Sequence, residues 1–313
     1  MEDKTLFKLH YSAEVQNAIE NNIPIDALES TIITHGMKYP VNYETAKAVE
    51  DVIRKEGAVP ATIAIIDGKV HVGLSEEQIH SVSKADNFKK CTTRDIPYVV
   101  MKKMNGSLTV AATMHIAKMA NIKVFVTGGI GGVHKGVSES WDISADLLEL
   151  SRTNVSVVCA GIKSILDIPK TLEYLETSSV PVIGLKTSKF PEFFFSEGDC
   201  DVPMRLESED ECANFIYHNN DIFNMKSGIL FAVSVPKEAQ ADKTLVTNSI
   251  NNALKKAQAN NIKGQDVTPF LLKEVNEISG GESCRSNVAL IKNNALVGAR
   301  ICVAYNNLQK KRK

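Results

Sequence analysis

The stretch Thr127-Gly-Gly-Ile-Gly-Gly-Val-His-Lys-Gly136 holds five glycines in ten residues, so it is neither a helix nor a strand interior. Lys123-Val-Phe-Val126 before it reads as a buried strand. After it come Trp141-Asp-Ile-Ser-Ala-Asp-Leu-Leu148 and the apolar run Val155-Ser-Val-Val-Cys-Ala160, closed by Gly161 and Lys163. A glycine loop and a lysine therefore each follow the end of a strand. In open α/β sheets ligands collect beyond the carboxyl ends of strands, and glycine lets N–H groups close on an anion with no Cβ in the way. The chemistry is expected there.

Outward from this stretch, strand and helix signals alternate. Residues 1–22 read as a polar lead-in with a short helix, and Ile25-Asp-Ala-Leu-Glu-Ser-Thr-Ile-Ile33 as a strand interrupted by Glu29. Asn42 is placed to cap a helix whose apolar positions Ala46, Val49, Val52 and Ile53 recur at helical spacing up to Gly57. Asp67-Gly68 between two apolar segments predicts a hairpin, and Ser75-Glu-Glu-Gln78 a capping box. Pro97-Tyr-Val-Val-Met101 reads as a strand, 107–120 as a helix, and strands at 155–160, 180–185 and 228–235 alternate with helices at 164–176 and 208–218. Residues 247–305 read as mostly helical, with breaks at Lys263-Gly264 and Gly280-Gly281. The expectation is one domain over 1–313, a three-layer α/β/α fold with a mixed, largely parallel central sheet.

Composition narrows the function classes. The 313 residues carry 36 basic and 37 acidic side chains, a formal charge of -1, which argues against nucleic acid or an anionic membrane as the main partner. A hydrophobic share of 43% fits a globular chain, and the six cysteines show no zinc spacing and read as reduced. Met1-Glu-Asp-Lys4 lacks a signal-peptide pattern and no apolar run approaches a membrane span, so a cytoplasmic location is expected. The tail Lys310-Lys-Arg-Lys313 reads as a solvated end.

Several residues carry candidate chemistry. The glycine loop lacks both the dinucleotide fingerprint and the Gly-Lys-Ser/Thr of a P-loop, which leaves a phosphate cradle and a plain tight connection both open. His134 and Lys135 beside it favour an anion. Asp142 and Asp146 stand one helical turn apart, and paired carboxylates near a phosphate suit a divalent cation; the other reading makes Asp142 or Ser144 the cap of the next helix. Lys163 at a strand end suits a Schiff-base nucleophile or an ordinary snorkelling lysine. Glu29 among apolar neighbours suits proton transfer, or else a paired structural acid. His71, His80 and His115 have no assignable partners.

Six blocks resemble one family: Ala27-Leu-Glu-Ser-Thr-Ile-Ile-Thr-His-Gly-Met37, Gly57-Ala-Val-Pro-Ala-Thr-Ile-Ala64, Thr127-Gly-Gly-Ile-Gly-Gly-Val-His134, Asp142-Ile-Ser-Ala-Asp-Leu147, Val158-Cys-Ala-Gly-Ile-Lys-Ser-Ile-Leu-Asp167 and Gly264-Gln-Asp-Val-Thr-Pro-Phe-Leu-Leu272. They are similar to the pseudouridine-5′-phosphate glycosidases, the indigoidine synthase A-like family, over about residues 23–300. The resemblance implies an α/β/α homotrimer that uses a divalent metal, typically Mn2+, and cleaves pseudouridine 5′-phosphate to uracil and ribose 5-phosphate. By the same resemblance Glu29 falls on the proton donor, Lys163 on the nucleophile and Asp142 on the metal ligand. Ser144, Ala145, Asp146, Lys90 and Val110 fall on substrate contacts, and Thr127, His134 and Asn287 on positions near phosphate or base. The chain departs at Trp141, where a smaller aromatic is expected, and at Cys91-Thr-Thr93, where the family's run is richer in Ser and Arg. Many eukaryotic relatives carry a fused pseudouridine kinase domain; none is expected here, so the phosphorylated substrate would come from a separate source.

That chemistry accounts for the residue types. The leaving atom is carbon, so direct displacement would demand a poor carbanion, and an amine that adds at C1′ of an opened sugar avoids it. Two other readings use the same residues: another Schiff-base phosphosugar lyase or aldolase acting through Lys163, and a non-catalytic phosphosugar-binding protein, against which the intact Glu29, Lys163 and Asp142 argue.

Overall fold

Short apolar runs, each closed by a glycine, a turn or a capping residue, become strands, and the longer amphipathic stretches between them become helices. The computed structural model describes residues 8–312, so Met1–Phe7 of the polar lead-in and Lys313 of the basic tail lie outside the described residues. The first half runs β1 (His10–Tyr11), α1 (Ala13–Glu20), β2 (Ile25–Leu28), α2 (Val41–Lys55), β3 (Val59–Ile66), β4 (Lys69–Val72), α3 (Glu76–Lys84), β5 (Lys89–Cys91), α4 (Ile96–Met101), β6 (Gly106–Leu108), α5 (Val110–Met119) and β7 (Val124–Val126). The second half runs α6 (Val137–Ser140), α7 (Ala145–Arg152), β8 (Ser156–Cys159), α8 (Ile168–Thr177), β9 (Val182–Leu185), β10 (Met204–Leu206), α9 (Glu209–Tyr217), β11 (Ile229–Val233), α10 (Lys243–Ala259), α11 (Val267–Ile278) and α12 (Glu282–Arg312).

The main sheet has the order β1-β4-β3-β2-β7-β8-β11-β9-β10. From β3 through β10 every neighbouring pair is parallel, whereas β4 and β6 run antiparallel to β3. The expected mixed, largely parallel sheet is therefore present. All residues of β7, β8, β9 and β11 are buried, as strands covered on both faces must be. Phe125 pairs with Val157, and Val158 with Phe231, in the centre of that core. The chain leaves β2 toward β3 on one side and leaves β7 toward β8 on the other. The gap between β2 and β7 is thus the topological switch point, where a crevice opens beyond the carboxyl ends of the strands.

Four expectations are corrected. β2 ends at Leu28, so Glu29 stands just past the strand, and Ile32–Gly36 forms a π-helical turn. Asn42 does not cap α2; it lies in the first turn, where its Nδ2 donates to the carbonyls of Ile33 and Ser83, each at 2.8 Å. Residues 97–101 are helical, because Asp95 accepts from the Thr92 N–H at 3.0 Å and Pro97 sits in the first turn, where a missing N–H is no loss. Ser107 and Leu108 belong to β6, and α5 starts at Val110 under a Thr109 cap. The Asp67-Gly68 hairpin and the Ser75 capping box form as read.

α12 packs against α2 and α9 and lies on β2, β7 and β8. Its 31 residues are long and apolar enough to cross a bilayer by length and composition alone, and Leu290, Ile291, Ala295, Val297 and Ile301 on it are buried inside the protein. Gly298 allows this close approach, since a Cβ there would collide with Val126 and stand 3.1 Å from Asp26 Oδ2. Asp26 is fully buried, and neither of its carboxyl oxygens has a partner among the described residues. Burial pushes its pKa well above the ordinary carboxylate value. A raised folded-state pKa contributes stability that is fully present below the unfolded value of about 4 and is lost progressively as pH rises toward the folded value. Asp26→Asn removes this titration. The variant is expected to gain stability over the parent progressively from pH 5 to pH 8, read as urea midpoints; a gain that shrinks with pH would contradict the assignment.

Candidate active site

Beyond the carboxyl ends of β2, β7 and β8 lies a cavity of about 370 Å³. Its wall includes Glu29, Lys90, Val110, His134, Asp142, Ser144, Ala145, Asp146, Lys163 and Asn287, residues up to 258 positions apart (287 − 29) that sequence reading had singled out. Thr127 stands behind that wall, where its hydroxyl donates a short hydrogen bond to Glu29 Oε1. Glu29 is buried, which raises its pKa; the nearby Lys163 and the Thr127 hydroxyl pull it back, Asp146 pushes it up and Lys90 lowers it. A small, almost wholly apolar void behind Glu29, lined by Leu28, Ile32, Val49 and Ile291, keeps water from that side of the carboxyl.

The glycine loop is built for close approach. A Cβ at Gly131 would strike Ser144 and lie 2.8 Å from Asp146 Oδ2, and one at Gly129 would lie 2.5 Å from the Phe193 ring. Four of its N–H groups are satisfied within the protein: Ile130 by Gly161 O at 3.1 Å, Gly131 by Asp146 Oδ2 at 2.8 Å, Val133 by Thr171 Oγ1 at 2.9 Å and His134 by Asp142 O at 3.0 Å. Gly128 and Gly129, whose N–H groups have no partner among the described residues, line the cavity, so the cradle and the tight connection both stay open. Side chains add cations for an anionic ligand. Lys90, Arg94 and Lys163 all reach the cavity, whereas Lys135 is exposed and does not line it. Burial, then the neighbouring Lys163 charge, lowers the Lys90 pKa, and Lys90 Nζ donates to the Gln265 carbonyl at 2.9 Å.

Ser144 caps α7, accepting from Asp146 N–H at 3.2 Å, as the helix-cap alternative required. Asp146 is 5% exposed and both its oxygens are engaged, one by Gly131 N–H and the other by Ala111 N–H at 2.9 Å, so it ties the loop to the start of α5. Asp142 is the less committed acid, partly exposed, with His134 Nδ1 at 3.9 Å from its Oδ2. Burial lowers the His134 pKa, Asp142 raises it, and Lys90 and Lys163 lower it further. Asn287 is 7% exposed, and its Oδ1 is buried with no partner among the described residues.

Residues without an assigned role also line the cavity. His35, whose Nδ1 lies 2.5 Å from Thr34 Oγ1 and 3.3 Å from Ser107 Oγ, belongs to the Ala27–Met37 stretch. Arg94 restores a cation to the departing 91–93 run. Phe193 carries no local signal at all, since the fold folds it back from the β9–β10 connection. His71, His80 and His115 lie elsewhere, stacked on His10, set edge-on to Tyr39 and Tyr43, and 3.6 Å from Glu149 respectively.

Residues 14–304 match the model of the indigoidine synthase A like protein family. The chain belongs to this family. Indigoidine synthase A-like relatives include a protein named pseudouridine-5′-phosphate glycosidase from Caldanaerobacter subterraneus subsp. tengcongensis, 50% identical over 299 residues that cover 96% of this chain and 97% of that one. Another of that name, from Arabidopsis thaliana, is 49% identical, covering 95% and 90%. Among solved structures, the prealnumycin C-glycosynthase AlnA in complex with ribulose 5-phosphate superposes with a TM-score of 0.88 at 35% identity, covering 97% of this chain and 99% of that one. An indigoidine synthase A-like protein from Thermotoga maritima superposes at 0.87 with 31% identity, covering 98% and 99%.

Because the Thr127 hydroxyl donates to Glu29 and so favours its charged form, Thr127→Val is expected to raise the Glu29 pKa further. Infrared titration of the protonated carboxyl band checks the sign, and a midpoint that falls in the variant would remove Thr127 from the site.

Proposed function

We propose that the protein is an enzyme that cleaves the C–C glycosidic bond of pseudouridine 5′-phosphate, giving uracil and ribose 5-phosphate. The observation that carries this reading is the pairing of a buried acid, Glu29, with an amine, Lys163, across one cavity that also presents Lys90 and Arg94. The names of the half-identical relatives support the substrate, and the ribulose 5-phosphate in complex with AlnA, an open-chain phosphosugar, supports an opened phosphosugar as a ligand.

The steps follow from these groups. Glu29, whose pKa burial raises, gives its proton to the ribose ring oxygen as the C1′–O4′ bond breaks, with electrons supplied by the uracil ring. The Lys163 amine adds to C1′ and restores the uracil double bond. Once C5 of uracil is protonated, the nitrogen lone pair forms the C1′–N double bond as the C1′–C5 bond breaks, and uracil leaves. Water hydrolyses the protonated imine, frees Lys163 and releases ribose 5-phosphate. Asn287, with an unmatched buried carbonyl oxygen, is suited to accept from a uracil N–H.

The same reading includes a divalent cation such as Mn2+. No three metal-ligating side chains converge among the described residues. The partly exposed Asp142 carboxylate fits a hydrated hard cation held by one protein oxygen, and Asp146 is already engaged. The cation would neutralise charge on the anionic ligand. A homotrimer and a cytoplasmic location complete the reading, on the family resemblance and the composition.

Incubation with pseudouridine 5′-phosphate, followed chromatographically for uracil, tests the function. Borohydride with ribose 5-phosphate is expected to mark the wild type at Lys163, and Lys163→Ala to lose turnover while staying folded; an adduct on another lysine would sink the mechanism. Phosphate recognition gives a second test. Charge-assisted hydrogen bonds contribute about 1.5–3 kcal/mol each, so Lys90→Ala is expected to lower kcat/KM for the phosphorylated substrate by roughly 10- to 100-fold. Unphosphorylated pseudouridine is expected to be far poorer in the wild type and nearly indifferent to that substitution. Equal kcat/KM for the two substrates would mean the cations serve another purpose.

A further inference from the structure

Two asparagines on α12, Asn287 and Asn294, stand seven residues apart and therefore on one face of the helix, two turns from each other. Asn287 lines the cavity, but Asn294 lies deeper and is fully buried. Its Nδ2 donates to the carbonyls of Thr127, at 2.9 Å, and Gly128, at 3.2 Å. These are the first two carbonyls after β7, where the chain leaves the sheet for the glycine loop. The same turn is pinned from the other side by Thr127 N–H to Val158 O at 3.1 Å and Ala160 N–H to Gly128 O at 2.9 Å. From this pinned peptide the Thr127 hydroxyl reaches Glu29.

Asn294 carries a penalty, since its Oδ1 is buried with no partner among the described residues. A leucine of similar volume would avoid that, so the amide's return must come from the two carbonyls it holds. We infer that Asn294 is a positioning residue: it fixes the Thr127–Gly128 peptide so that the Thr127 hydroxyl meets Glu29, and Glu29 is aimed across the cavity toward Lys163. This rests on the glycosidase reading. Lys90 on β5 and Arg94 between β5 and α4 lie away from the Thr127–Gly128 peptide, so loss of Asn294 acts on proton transfer and leaves the cationic grip on the ligand in place.

The test is a double-mutant cycle of Asn294→Leu and Thr127→Val, with kcat and KM for uracil release measured across pH and ribose 5-phosphate affinity measured by calorimetry. Asn294→Leu is expected to lower kcat about tenfold, to leave KM and the calorimetric Kd within about twofold, and to add little to Thr127→Val, because the two act through one contact. An acid that must be protonated sets the alkaline limb of kcat/KM, and that limb is expected to move to higher pH in both single variants. Losses that multiply in the double variant, an unmoved limb, or an effect confined to KM would each overturn the inference. If Asn294→Leu does not fold, Asn294→Ser, which leaves room for a water on the two carbonyls, carries the same cycle. A wild type that releases no uracil brings down the glycosidase reading itself, a result distinct from additive losses in an active enzyme.

Discussion

A buried carboxylate with both oxygens occupied holds this site together. Asp146 accepts from Gly131 N–H and from Ala111 N–H, and so locks the glycine loop after β7 to the start of α5 from its own place in the first turn of α7. Three segments far apart in sequence are thereby set to within a hydrogen bond of one another. Bonds from N–H groups to a charged acceptor are among the stronger ones a protein makes, at about 1.5–3 kcal/mol. Gly131 follows from this arrangement, because no side chain would fit between loop and carboxylate. The position of Val110 at the cavity edge follows as well.

With that clamp in place, the electrostatics divide into two sides. On one, an apolar void and the end of β2 keep Glu29 away from water; on the other, Lys90, Arg94 and Lys163 line space that an anion can enter. Each lysine restrains the Glu29 pKa that burial raises, so the acid and the amines are tuned against one another. An incoming phosphate would neutralise part of the cationic side and weaken that restraint. Glu29 would then hold its proton more firmly when the cavity is filled.

The alternation of strand and helix was legible because buried parallel strands read as continuous apolar runs, of which Val124–Val126 and Ile229–Val233 are examples. Residues 97–101 were misread because five apolar positions fit a strand or a helix equally, although Thr92-x-x-Asp95 followed by Pro97 was a helix-start signal in plain view. Glu29 and Lys163 stood out as charges beside apolar runs, and the family resemblance supplied the roles that spacing alone left open. Phe193 and Asn294 could not be found this way. One reaches the site through a loop and the other through a helix two turns beyond Asn287, and no local pattern marks either.

The hydrogen bonds that build the cavity join residues widely separated along the chain: Glu29 with Thr127 across 98 positions, Thr127 with Asn294 across 167 and Lys90 with Gln265 across 175. Farther down α12, Cys302 Sγ donates to the Ile25 carbonyl across 277 positions. Bringing such distant residues together costs loop-closure entropy, and no short segment can hold a fragment of the crevice. A molecule bound there grips the early and late portions of the sequence at once. Its binding energy therefore adds to the cohesion of the entire fold, and occupancy should protect amide hydrogens from exchange as far away as the N-terminal strands.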